Sequence, residues 1–225
     1  MKHQGQAGFT LVEIAIVLVI IGLLLGGILK GQEMITQAKI KNVVADFSGI
    51  SAAYYGYQDR YRAIPGDDLN AATRWTTPTA ATAGNGNGVV EGTYNAACAT
   101  AVVETCQWWD HLRRAGFVSG TGLTQPYNAA TGILGVQTGN GAATVAPTMG
   151  TAAGGTGGFS GLIVCSANLP DKIAIAVDTQ MDDGNPQTGT VRGLLQTAPN
   201  PSTADIATAT YGETGTNVYM LCKAL

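Results

Sequence analysis

The chain begins with two successive patterns of apolar residues. Between Phe9 and Leu29 only Thr10 and Glu13 are neither apolar nor glycine. A helix rises about 1.5 Å per residue, so this run can cross the roughly 30 Å hydrocarbon layer of a membrane. After Lys30 the sequence turns polar but keeps one apolar stripe at helical spacing: Val43, Phe47, Ile50, Tyr54, Tyr57 and Tyr61. We predict one helix from about Phe9 to about Tyr61, apolar all round in residues 9–29 and amphipathic in residues 30–61.

Shorter elements are predicted in residues 62–225, which we expect to form one globular domain. Pro65 ends the long helix, and Asp67 or Asp68 can cap a short helix through 70–72. A further helix is predicted over 104–115, with Trp109 and Leu112 facing a core. Residues 76–103 and 119–158 are predicted to be loops because they are rich in glycine, threonine and alanine. Strands are predicted at 161–165, 172–177, 190–196 and 216–222.

Composition and charge argue against some classes of function but do not identify one. The formal net charge is −3 and 12% of residues are charged, so no basic excess points to nucleic acid. His111 is the one histidine beyond the N-terminal segment, and no serine or cysteine nucleophile motif accompanies it. We therefore predict that the chain is not an enzyme and that His111 is structural or superficial. Trp108 and Trp109 are predicted to lie in the core or in a subunit contact.

The four cysteines all follow the apolar run. An even count is typical of disulfides in an oxidising compartment, and four cysteines allow three pairings. We favour Cys98–Cys106, which closes a short loop, and Cys165–Cys222, which ties two predicted strands. The alternative is four buried free thiols.

The start of the apolar run separates several kinds of membrane segment. The run is too long for a secretory signal peptide, and no cysteine stands at a lipoprotein cleavage point. A plain membrane anchor fits the length of the run, but Glu13 would then be unfavourable, because a charge within a membrane helix is costly. The block Gly8-Phe9-Thr10-Leu11-Val12-Glu13 followed by an apolar run resembles the class III signal of type IV prepilins and type II secretion pseudopilins.

The resemblance implies how this segment is processed and used. Residues 1–8 would be a leader that prepilin peptidase removes between Gly8 and Phe9, and the new Phe9 amine would be methylated. Glu13 would neutralise the Phe9 amine of a neighbouring subunit during assembly, or alternatively that of its own chain. Gly22 and Gly26 have the spacing that lets two helices approach closely, as do Gly27 and Gly31; chance is the alternative in a chain with 31 glycines.

Two oxygen-rich stretches are candidate calcium loops. The first contains Asn85, Asn87 and Glu91, and the second contains Asp182 and Asp183. Calcium prefers hard oxygen ligands, and major pseudopilins bind it in C-terminal loops. Ordinary turns explain both stretches as well, and we favour turns. We expect no other cofactor.

Together these patterns predict an α+β, pilin-like fold in which a long N-terminal helix packs on an antiparallel sheet of about four strands. The resemblance implies a structural subunit of a type IV pilus or pilus-like fibre. Such a fibre is homo-oligomeric and is made with an inner-membrane assembly platform and minor pilins. The domain would lie in the periplasm before assembly and outside the cell afterwards. The alternatives are a type II secretion pseudopilin and a membrane-anchored binding protein or enzyme.

Overall fold

The structure, a computed structural model, describes residues 10–99, 103–141, 148–150, 157–201 and 207–225. The chain divides into two compact units, Met1–Ala38 and Lys39–Leu225, and we describe each by itself. The predicted leader, residues 1–8, and Phe9 lie outside the described residues.

Helix α1 runs from Leu11 to Tyr61 with no proline to interrupt it. Among the described residues it is the one helix that is long and apolar enough to cross a membrane, with a mean hydropathy of 2.8 in its most apolar window. All side chains from Thr10 to Lys30 are exposed. The long helix predicted from the sequence is therefore present.

The later part of α1 provides one wall of the domain's core. The residues buried on this face are mostly three or four positions apart, as in an amphipathic helix: Ile40, Val43, Phe47, Ile50, Ala53, Tyr54 and Tyr57. Tyr61, predicted to end the stripe, is half-buried and packs against the same core.

Between α1 and the first strand, the described residues form two short helices. Helix α2 (Ala71–Arg74) follows the turn at Pro65, and α3 (Glu104–Arg114) lies close to its predicted bounds. Trp108, Trp109 and Leu112 of α3 are fully buried, so both tryptophans belong to the core of this domain. His111 is also fully buried.

In the part of the chain that the structure describes, four antiparallel strands form one sheet. They are β1 (Leu134–Thr138), β2 (Leu162–Pro170), β3 (Val191–Leu195) and β4 (Val218–Ala224), in the order β1-β2-β4-β3. The predicted fold class, a long N-terminal helix with a four-stranded antiparallel sheet, is confirmed. One disulfide joins Cys165 to Cys222, which face each other across β2 and β4. The other joins Cys98 to Cys106, so both pairings are the ones that we favour from the sequence.

The sheet has a core on each face. Val164 and Leu221 pack with the α1 stripe and α3, whereas Ile163, Cys165 and Cys222 point to a second cluster that includes Tyr94 and Phe159. This alternation is the period of two that a strand imposes on its side chains.

Two predictions about the sheet were wrong. The strand predicted over 172–177 is instead the middle of helix α4 (Asp171–Met181). Residues 134–138, predicted to be loop, form β1. The buried residues of α4 are Ile173, Ala174, Val177 and Asp178, with Asp171 at the helix start. That pattern follows one helical face, and packing on the core outweighs the strand preference of isoleucine and valine.

Candidate functional site

The apolar segment, residues 11–29 of α1, is the candidate site. Its large side chains are exposed on every side of the helix; Leu11, Leu23 and Leu29 are 87%, 73% and 68% exposed. Monomeric soluble proteins rarely expose apolar patches of more than a few hundred Å². The segment therefore requires a lipid or protein environment to cover it.

The glycines of this helix are not required by packing within the described chain. A Cβ atom added at Gly22, Gly26, Gly27 or Gly31 would meet nothing within 4 Å. Small residues at this spacing allow close helix contacts in membranes. Their role in assembly remains a prediction.

Thr10 and Glu13 form a reciprocal cap at the start of α1. The Thr10 backbone N–H and hydroxyl each donate to Glu13 Oε2 at 2.8 Å, and the Glu13 backbone N–H donates to Thr10 Oγ1 at 3.3 Å. This arrangement is a capping box, which satisfies two donors of the first helical turn. In this chain the Glu13 carboxylate is therefore held by Thr10. The partner predicted for it, the Phe9 amine, lies outside the described residues, as does Gly8.

The first candidate calcium loop is organised as a hydrogen-bonded turn. Asn85 Oδ1 accepts from the Asn87 backbone N–H at 3.0 Å, and Asn87 Oδ1 accepts from Val89 N–H at 2.8 Å. Asn87 Nδ2 donates to Glu91 Oε1 at 3.1 Å. The side-chain oxygens of both asparagines thus serve the loop's own backbone, as in the turn that we favour.

The second candidate calcium loop contains a carboxylate that sequence reasoning missed. Asp178, in α4, lies with Asp182 and Asp183 so that one oxygen from each is within 4.8 Å of the others. Asp182 Oδ2 accepts from Val191 N–H at 2.8 Å, and Asp183 Oδ1 accepts from Asn185 N–H at 2.9 Å. Exposed acidic groups such as Asp183 are common without an ion. Calcium binding stays a prediction for both loops.

Asp178 is itself unusual among these three acids. It is fully buried and accepts a hydrogen bond from the Tyr211 hydroxyl at 2.5 Å. Burial, with smaller contributions from the charges of Asp183 and Asp182, raises the pKa of Asp178 to about 6. The period-two pattern that predicted a strand here concealed the helical spacing that brings Asp178 near Asp182.

A buried polar cluster joins the end of α1 to the turn that follows. The Tyr57 hydroxyl donates to Asp68 Oδ2 at 2.6 Å, and Arg74 forms an ion pair with the same oxygen. Burial disfavours the Asp68 charge, but the hydrogen bonds from Tyr57 and Arg74 outweigh it and lower the pKa of this carboxyl. The Arg74 guanidinium also lies over the Tyr61 ring, with its Cζ 4.3 Å from the ring centroid.

His111 belongs to the same region and has a defined tautomer. Gly66 N–H donates to Nδ1 at 2.9 Å, so Nδ1 carries no proton and Nε2–H donates to the Thr82 carbonyl at 2.8 Å. Burial lowers the pKa of His111 below its usual value. Both ring nitrogens are engaged, which favours the structural interpretation of this residue.

The comparisons with known proteins bear on the apolar segment. Residues 3–29 match the family described as the prokaryotic N-terminal methylation motif. No curated protein matches the chain. A structure of the major type IV pilin PilA1 from Clostridium difficile is similar over 83% of this chain and 96% of that one, at 12% identity and a TM-score of 0.32. A likeness of that size carries no argument, so the motif is the decisive finding: this chain carries a prepilin-type N-terminal methylation motif.

Proposed function

We propose that this chain is a structural subunit of a type IV pilus or pilus-like fibre, assembled by packing the apolar segments of many copies. The observation that carries the proposal is the combination of a methylation motif at residues 3–29 with an apolar helix exposed on all sides. A helix that is apolar all round suits a membrane span and the centre of a helical fibre equally well.

The apolar segment explains why such a subunit can move from membrane to fibre. In the membrane its side chains contact lipid tails, and in a fibre they contact the same side chains of other copies. Because both environments are apolar, the transfer leaves no large apolar surface in water. Van der Waals packing and the pairing of Glu13 then decide the geometry of assembly.

Glu13 is proposed to select the position of each subunit. Cleavage after Gly8 would create a cationic amine on Phe9, one helical turn from Glu13. An unpaired carboxylate in an apolar fibre is costly, so pairing with the amine of a neighbouring copy would favour one register. The Thr10–Glu13 cap gives that carboxylate a partner before assembly.

The same proposal assigns partners and location. Prepilin peptidase would process the chain, and an inner-membrane platform would assemble it with minor pilins. The domain would lie in the periplasm before assembly and outside the cell afterwards, where its two disulfides suit an oxidising environment. The domain would have no catalytic activity of its own.

The first test is the N-terminus of the protein in two fractions, sheared filaments and membranes. Intact mass and N-terminal sequencing should find methylated Phe9 as the first residue in the sheared fraction. Processed protein confined to membranes would favour a type II secretion pseudopilin. A chain that still starts at Met1 in both fractions would contradict the proposal.

The second test replaces Glu13. Glu13→Ala should leave a membrane-inserted, folded protein that fails to enter filaments, because the charge that selects the register is gone. Glu33→Ala is the matched control, since Glu33 is an exposed acid of the same helix whose carboxylate bonds only Gln37 among the described contacts. Filament yield equal to wild type in Glu13→Ala would contradict the proposed role of Glu13.

A further inference from the structure

The turn at residues 85–88 contains two consecutive Asn-Gly pairs. Gly86 and Gly88 both have positive φ angles, +72° and +85°, where residues with a side chain are strained. A Cβ atom on Gly86 would also lie 2.6 Å from Leu69 Cδ1. The turn therefore requires glycine at these positions.

Asn-Gly is also the dipeptide most open to chemical change. The glycine backbone nitrogen loses its proton and attacks the asparagine Cγ, so that an N–C bond forms while the Cγ–Nδ2 bond breaks and ammonia leaves. Water then opens the resulting succinimide to aspartate or isoaspartate. Glycine offers no side chain to hinder the ring closure. The attacking atoms in this turn are Gly86 N and Gly88 N.

One buried carboxylate binds both of these nitrogens. Gly86 N–H donates to Asp67 Oδ1 at 2.5 Å, and Gly88 N–H donates to Asp67 Oδ2 at 2.7 Å. Asp67 is only 5% exposed, so solvent screens these contacts little. An N–H group that donates to an anion resists loss of its proton, because deprotonation would place two negative charges in contact.

The atoms under attack are fixed as well. Asn87 Oδ1 accepts a hydrogen bond from Val89 N–H at 2.8 Å, and Asn87 Nδ2 donates one to Glu91 Oε1 at 3.1 Å. Glu104, a second buried carboxylate, accepts from Asn85 N–H and from Glu91 N–H, each at 2.9 Å. These bonds hold the amide groups in place and restrict the rotation that ring closure requires.

We propose that Asn85 and Asn87 are latent deamidation sites that Asp67, as a positioning residue, keeps unreactive by holding the N–H groups of Gly86 and Gly88. This inference does not depend on the proposed function. Conversion of Asn87 to aspartate would replace the donor to Glu91 with a second negative charge, which would loosen the turn.

The chain contains its own control. Asn140–Gly141 is a third Asn-Gly pair, and Gly141 N–H donates to the neutral carbonyl oxygen of Phe159 at 2.8 Å. A change that acts through the Asp67 carboxylate should alter deamidation at Asn85 and Asn87 and leave Asn140 unchanged.

The experiment follows deamidation by peptide mapping and fragment-ion mass spectrometry on the full chain in detergent micelles at mildly alkaline pH. In the wild type, Asn85 and Asn87 should react at least about tenfold more slowly in the folded than in the denaturant-unfolded protein. Equal rates in the two states would overturn the proposal without any mutant.

Asp67→Asn then isolates the carboxylate. This change keeps the side chain's shape, removes its charge and replaces one of its two acceptor oxygens with an amide donor. The rates at Asn85 and Asn87 should therefore rise about tenfold while Asn140 stays at its wild-type rate. Asp110→Asn is the matched control, since Asp110 is a buried acid that pairs with Arg114; it should leave all three rates unchanged. Unchanged rates at Asn85 and Asn87 in a folded Asp67→Asn protein would overturn the proposal. If all three rates rise together the variant has unfolded, and the wild-type comparison of folded with unfolded protein decides.

Discussion

The two parts of α1 carry similar apolar side chains, which are exposed in the first part and buried in the second. Leu24, in the apolar segment, is 61% exposed, whereas Phe47, further along the same helix, is fully buried. The later part has one apolar face, and the domain's own sheet and helices cover it. The apolar segment has no polar face, and no element of the described chain buries it. The comparison teaches that one helix can stabilise a fold at one end and leave its other end to contacts that folding does not supply.

The largest expected effect separates these two parts by substitution. Phe47→Ala should destabilise the domain by about 3–5 kcal/mol, because it leaves a cavity in the core. Leu24→Ala is the control and should leave domain stability unchanged. Tryptophan fluorescence during denaturant unfolding in micelles measures this, since Trp75, Trp108 and Trp109 all lie in the domain. Equal losses in both variants would contradict the comparison.

The disulfides sharpen the comparison because both act within the domain. Loop closure predicts a loss of about 4 kcal/mol for Cys165→Ala/Cys222→Ala, whose cysteines are 57 residues apart, and about 2.5 kcal/mol for Cys98→Ala/Cys106→Ala, 8 apart. When the domain of these variants is unfolded, far-ultraviolet circular dichroism should still show the helical signal of the apolar segment. Loss of that signal together with the domain would show that the two parts depend on each other.

A smaller effect should appear in acid and only in the domain. Burial lowers the pKa of His111, so the unfolded chain binds its proton at a higher pH than the folded one does. Stability should fall as the pH drops below about 6.5, the usual histidine pKa. Protonation of Nδ1 would remove the bond from Gly66, at a cost of about 1–2 kcal/mol. Urea midpoints measured across this range should decline more in wild type than in His111→Gln; parallel profiles would contradict the role of His111.

The last expected effect has the opposite pH dependence. The folded pKa of Asp178 is raised to about 6, so its stabilisation is present at low pH and is lost as the pH rises through that value. Asp178→Asn keeps an acceptor for Tyr211 and removes the buried charge. The variant should therefore gain stability relative to wild type as the pH rises from acid to neutral. A constant difference in urea midpoint over this range would contradict the raised pKa.

Prediction from the sequence succeeded where the spacing of apolar residues was compatible with only one kind of secondary structure. The stripe from Val43 to Tyr57 is buried as predicted, because the spacing of three and four residues is enough to place a face of a helix against a core. It failed at α4, where the alternation of isoleucine and alanine conceals a helical face formed by Ile173, Ala174 and Val177. The overlooked sequence signals were Pro170 and Asp171, which stand at the start of the helix. In the folded chain Asp171 Oδ2 also accepts a hydrogen bond from Gly215 N–H at 2.6 Å.

Strand β1 and the buried polar groups depend on contacts distant in sequence. Gly135 is a poor strand residue alone, but a Cβ atom there would lie 2.0 Å from the Tyr94 carbonyl oxygen, so tertiary contact requires the glycine. Likewise His111 meets Gly66, and Asp67 meets Gly88, only after folding. A single sequence gives the residue types of such pairs but not which residues meet.

The position of β4 in the sheet has a consequence for the order of synthesis. β4 follows every other described element along the chain, yet it lies between β2 and β3 and bonds to both. A ribosome delivers α1 first and β4 last, at about 5–20 residues per second. The nascent domain therefore cannot close its sheet, or form the Cys165–Cys222 bond, until residue 222 has emerged from the ribosome. For many seconds the apolar segment is complete while the domain behind it is still an open chain.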